Sequence, residues 1–187
     1  MSLRRLASLC CVCLTALLLA SCSSSSPAGP GADGLIEVDL SKFPDTGQDV
    51  PEGTILGDQW ESIGILFDAK PDSVNAIVAY WGGAHIFFSP DVEGAIAVFS
   101  FVEPGSRTPV NATHFELIPW FNLYESAELV GLDEGGAEVA IDTVTPEDIG
   151  DEEGSIKMSI DGTFRTVEWR THGDPGIAAT YLVFELE

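Results

Sequence analysis

Ala95-Ile96-Ala97-Val98-Phe99-Ser100-Phe101-Val102 is apolar at nearly every position and carries β-branched and aromatic residues throughout. A run of this length, apolar on both faces, is too short for a buried helix and fits the central strand of a sheet. Working outward, Ile156, Met158 and Ile160 interleave with Lys157, Ser159 and Asp161, and Val167 and Trp169 with Thr166, Glu168 and Arg170. That alternation predicts strands with one wet face. Leu35 to Leu40, Ser62 to Phe67 and Asn75 to Tyr80 are short, rich in β-branched residues and bounded by Gly, Pro or Asp, and Glu125 to Leu132, Gly136 to Val144 and Ala178 to Leu186 add further strands. Helical periodicity is weak everywhere except for a short turn near Pro146-Glu147-Asp148-Ile149. About ten strands with turn signals every 8 to 12 residues and no internal repeat predict an all-β fold, an antiparallel β-sandwich or jelly roll.

The amino-terminal segment is an address rather than part of that fold. Arg4 and Arg5 precede an apolar stretch from Leu6 to Ala20, and Leu19-Ala20-Ser21-Cys22 resembles a bacterial lipobox. The resemblance implies cleavage before Cys22 and acylation of that cysteine, which anchors the protein to a lipid bilayer and places it in a bacterial cell envelope. A transmembrane anchor needs about 20 apolar residues, more than this run offers. An ordinary secretory signal would leave Cys22 as a lone exported thiol. The expected organisation is a lipoprotein signal peptide over 1–21, the lipidated cysteine and a Ser/Pro/Gly-rich disordered linker over 22–34, and a β-sandwich domain over 35–187.

Cys10, Cys11, Cys13 and Cys22 are the four cysteines, so the body beyond Cys22 holds no disulfide, thiolate metal site or cysteine nucleophile. Its 166 residues, counted from Cys22, suit one domain with a core large enough to stand unaided. With Arg4 and Arg5 removed, six basic residues face 30 acidic ones, a formal charge of −24. Such a field repels phosphate backbones and anionic headgroups, which argues against nucleic-acid binding. It fits either attraction of cations or, more simply, a soluble self-repelling surface.

Three short motifs carry a second resemblance. Gly53-Thr54, Gln59-Trp60 and Gly64-Ile65-Leu66-Phe67 stand in order near the start of the body, followed by Ala127 to Gly136, then by Phe164 to Trp169 and a closing Leu182-Val183-Phe184. Together they resemble the galactose-binding-like jelly-roll domains of bacterial surface proteins, many of them exosortase-anchored proteins of the PEP-CTERM type. That likeness implies a non-catalytic sandwich, and in the wider fold a structural calcium held near the first and last strands. The family often has an Asp pair before its last strand where this chain has Thr180-Tyr181. Glu37 and Glu52 remain as candidate ligands, and the missing pair argues against the metal. No other cofactor is implied.

Enzyme readings find little support. There is no Gly-x-Ser-x-Gly elbow, and His85, His114 and His172 stand singly, without the spacing that puts two ligands on one metal. The acidic run from Glu147 to Glu153 lacks the alternation and terminal Glu of an EF-hand loop. Among aromatics, Trp60 and Trp169 fall in strand patterns and are expected in the core. Tyr80, Trp81, Trp120 and Tyr124 sit near expected loops and are the candidate ligand-binding residues, since flat rings match the C–H faces of sugars. Two readings stay open: a non-catalytic envelope lipoprotein binding glycan or another envelope component, or a purely structural or protein-interaction domain. A carbohydrate-active enzyme is a distant third.

Overall fold

The computed structural model describes residues 34–80, 84–89, 94–121, 126–149, 154–172 and 178–187. Two antiparallel sheets face each other across one core, so the chain is an antiparallel β-sandwich. The five-stranded sheet runs β2 (Ile65–Lys70), β5 (Ile96–Phe101), β11 (Thr166–His172), β7 (Ser126–Leu132) and β8 (Glu138–Val144). The seven-stranded sheet is built around β12 (Ala178–Leu186), flanked on one side by β6 (Ala112–Phe121). On its other side β12 meets β4 (Ala84–Ser89) at Ala179 and β1 (Ile36–Val38) further on, at Leu182 to Phe184. β3 (Asn75–Tyr80) extends the sheet beyond β4, while β10 (Met158–Phe164) and the two-residue β9 (Gly154–Ser155) pair with β6. The only α-helical turn among the described residues is α1 (Pro146–Ile149).

Alternation along each strand sorts side chains into the core. Phe67 and Ile65, Phe99 and Phe101, Val167 and Trp169, and Ala127 and Leu129 point in from the five-stranded sheet, meeting Phe115, Leu117, Leu182, Phe184, Met158 and Ile160 from the other. Rings link end to end through this layer: Trp60 to Phe67 at 5.3 Å between centroids, Phe67 to Phe99 at 5.7 Å, Phe99 to Phe115 at 4.9 Å and Phe101 to Phe184 at 5.5 Å. Each contact adds about 0.5 to 1.5 kcal/mol beyond its buried area. The central strand expected at Ala95 to Val102 is β5, with Phe99 and Phe101 wholly buried.

Around Gly64 the structure differs from the sequence expectation. Ser62 to Phe67 is not one strand: Glu61–Ile63 is a 3-10 turn, and β2 starts only at Ile65. Gly64 causes the break. It sits at φ 95°, and a Cβ there would come within 2.8 Å of Leu186 Cδ1 and 2.9 Å of the Val102 carbonyl oxygen, so the chain turns where only glycine fits. Trp60 is accordingly core, but in the turn before this 3-10 segment rather than in a strand.

The two ends of the sandwich have different make-up. At one pole lie Gly34 where the chain enters β1, the end of β12, Gly64, the 102–110 connection, Arg165 and the β7–β8 turn, tied together by bonds such as Glu187 N to Asn111 O at 3.0 Å and Arg165 N to Leu132 O at 2.7 Å. Three crossings between sheets, β1 to β2, β5 to β6 and β10 to β11, are at this pole, and the other five, from β2 to β3, β4 to β5, β6 to β7, β8 to β9 and β11 to β12, are at the opposite one.

Candidate binding face

The outer face of the seven-stranded sheet gathers polar side chains from four neighbouring strands. On β6, Phe115 and Leu117 point into the core, which turns His114 and Glu116 outward. Register then sets their neighbours: Glu37 on β1 lies opposite Val183, Val183 opposite Glu116, and Glu116 opposite Ser159. One row along, Glu185, His114 and Asp161 stand side by side.

These groups bond to one another. Tyr181 donates its hydroxyl to Glu37 Oε1 at 3.3 Å, Lys157 Nζ donates to Glu116 Oε2 at 2.9 Å, and Thr113 Oγ1 donates to Glu185 Oε2 at 2.8 Å. His114 Nδ1 lies 2.7 Å from Asp161 Oδ1, and its Nε2 lies 3.7 Å from Glu116 Oε2. Glu116 and His114 are sunk into the face, at 16% and 21% side-chain exposure, yet remain open to a partner. Burial, then the Glu37 carboxylate, pushes the Tyr181 phenol above its usual value, so it stays a donor through the neutral range.

The five-stranded sheet turns out a different surface. Asp68, Val98, Glu168, Val130 and Ile141 form one row across all five strands. Glu168 is buried there and accepts from Lys70 Nζ at 2.8 Å and Arg170 Nε at 2.8 Å, while Arg170 Nη1 also reaches Glu138 at 2.8 Å. Burial alone would raise the Glu168 carboxyl, but the bonds from Lys70 and Arg170 outweigh it and hold the pKa below the ordinary range. Asp148 is also lowered, by the hydroxyl and backbone N–H of Thr145. A general acid needs the opposite shift.

The residues singled out in the sequence are not brought into one patch by what the structure describes. Trp81 and Tyr124 lie outside the described residues. The backbone of Tyr80 closes β3 opposite Ala84, and that of Trp120 sits three strands away on β6, opposite Ala178 and Ser155. Glu37 belongs to the polar face, whereas Glu52 is exposed in the turn before residues 53–56, which run along β3. Among the described residues no group of three or more His, Cys, Asp or Glu side chains is placed to hold a metal ion. Cys22 precedes the described residues. Tyr181, Glu116, Lys157 and Asp161 were not legible as a set, because they are far apart in sequence and meet only through strand register. Outward alternation of His114 and Glu116 around Phe115 was the one local signal.

No family model matches the chain, and no curated protein does. Among solved structures, a carbohydrate-binding module of family 29 is similar at 14% identity with a TM-score of 0.43, over 80% of this chain and 88% of that one. A GH51 α-L-arabinofuranosidase is similar at 9% identity with a TM-score of 0.47, over 81% of this chain and 28% of that one.

Proposed function

We propose that this protein is an envelope lipoprotein, held to the bilayer through acylated Cys22, whose sandwich binds glycan without catalysis on the outer face of the seven-stranded sheet. One observation carries the ligand reading: Glu37, Tyr181, Glu116, Lys157, His114 and Asp161 bring donors and acceptors to one face across four strands, with Glu116 and His114 partly buried among them. Sugars present closely spaced hydroxyls, and charged acceptors held in place by neighbours bind such groups at about 1.5 to 3 kcal/mol per bond. A formal charge of −24 makes a neutral glycan a better fit than a phosphate- or uronate-rich one.

The test has two arms. A glycan array probed with the protein should yield a neutral ligand, and Glu116→Gln or Tyr181→Phe should weaken it at least about tenfold, the equivalent of about 1.4 kcal/mol, without moving the melting temperature. A ligand indifferent to both substitutions would refute the face assignment. For the anchor, a fatty-acid analogue should label the wild type and not Cys22→Ser, and equal labelling would remove the lipoprotein reading. A protein-contact domain is the second reading, favoured by Val139 and Ile141, exposed at 48% and 57% on edge strand β8.

A further inference from the structure

We infer that the anchor stands the sandwich upright on the bilayer, so that the polar face rises along the membrane normal and meets glycan of the layer above rather than the lipid surface. The inference rests on the proposed acylation of Cys22. Its geometric content is where the chain enters the fold. Gly34 lies beside Glu185 at the end of β12, at the pole that also holds Gly64, Asn111, Arg165 and the β7–β8 turn. Five of the crossings between sheets lie at the other pole, with Trp120, Ser155, Ser126 and His172 bordering them, and the remaining three, β1 to β2, β5 to β6 and β10 to β11, lie at the pole of Gly34. Strands therefore run from a membrane-proximal end to a distal one.

Lengths decide whether that polarity survives tethering. The 12 residues 23–34 are Ser/Pro/Gly-rich, and a tether of that composition and length has a root-mean-square span of about 20 Å and a limit of about 40 Å. β6 alone, at ten residues, is about 33 Å long. Laying the distal pole on the bilayer would stretch the tether towards its limit, so its entropy favours the proximal pole facing down. The charge of that pole opposes adsorption. Of the described residues at that pole, Asp58 and Glu61 share Arg107, and Glu103, Asp133, Glu134 and Glu187 add four further carboxylates, a negative excess that keeps the end off an anionic headgroup layer. The polar face then sits on the order of 35 Å above the headgroups.

The body has no cysteine beyond Cys22, so an introduced thiol is a unique label. Thr108→Cys marks the proximal pole, and Ser155→Cys and Glu147→Cys mark the distal one, all at exposed positions. The acylated full-length protein, labelled with a fluorophore and reconstituted into phosphatidylcholine vesicles carrying a headgroup quencher, should show strong quenching at 108 and at least about a threefold weaker effect at 155 and 147. Equal quenching at all three positions, or stronger quenching at 155, would overturn the upright placement while leaving the anchor intact. Failure of every labelled protein to stay with the vesicles would overturn the anchor, and the placement with it.

Discussion

Replacing Glu168 by Gln keeps the size of the side chain and removes only its charge. Glu168 is 8% exposed and accepts from Lys70 and Arg170, so the variant turns an amide towards two cations in a nearly dry place. Hydrogen bonds to charged groups contribute about 1.5 to 3 kcal/mol each. The Lys70 share is smaller, because its ammonium is 54% exposed and recovers water, and Arg170 keeps Glu138. A loss of about 2 to 3 kcal/mol at pH 7 follows, or about 4 to 12 °C in melting temperature for a domain of this size. The pH dependence has a definite sign. Glu168 titrates below the usual value of about 4.3 in the folded state, so its contribution is complete above that value and fades as the pH falls through the lowered one. Urea unfolding of wild type and variant at pH 7, 5 and 3 should give a gap that is constant between 7 and 5 and narrower at 3. A gap of the same size at pH 3, or none at pH 7, would refute this account of the buried carboxylate.

Phe99→Asp should abolish cooperative unfolding altogether, since it places an unpaired charge between Phe67 and Phe115 at a cost above about 4 kcal/mol; circular dichroism with thermal melts checks it. Gly131→Ala should destabilise by about 1 to 3 kcal/mol, because the new methyl would sit 3.0 Å from Phe164 Cδ1 and 3.1 Å from Ile160 Cδ1 in the tightly packed core. A companion Phe164→Leu substitution should then cost less in the Gly131→Ala background than alone, by calorimetry. Monovalent salt should raise the melting temperature by screening self-repulsion, and calcium should add nothing once ionic strength is matched. A calcium shift that persists in excess sodium chloride and is lost on Glu37→Gln or Glu52→Gln would restore the metal site.

Strands with clean alternation are legible in the sequence. β10 and β11 announce themselves through Ile156 to Asp161 and Thr166 to Arg170, and β5 through its apolar run, since burial of one or both faces writes directly into residue order. β6 did not. Pro119 interrupts it near its far end, and His114 and Glu116 break its apolar character, although it lies between β12 and β10 in the larger sheet. β4, Ala84-His85-Ile86-Phe87-Phe88-Ser89, follows Gly82-Gly83, whose loop signal hides it. Trp60 reads correctly as core for the wrong local reason. The polar face was illegible for a deeper cause: Glu37, Glu116, Asp161 and Tyr181 become neighbours only once β1, β6, β10 and β12 are in register, and register is a property of pairs of strands rather than of any one.

The pairing of β1 with β12 also has a mechanical side. Ile36, Glu37 and Val38 pair with Phe184, Val183 and Leu182, and the described chain enters the fold at Gly34, just before β1. A pull on the amino-terminal side of β1 directed along that strand, the load the proposed anchor would transmit, strains those rungs together in shear instead of peeling them one after another. Three short rungs held that way resist far more force than the same three opened like a zipper, so a three-residue outer strand of the sheet is placed to act as the latch between load and core.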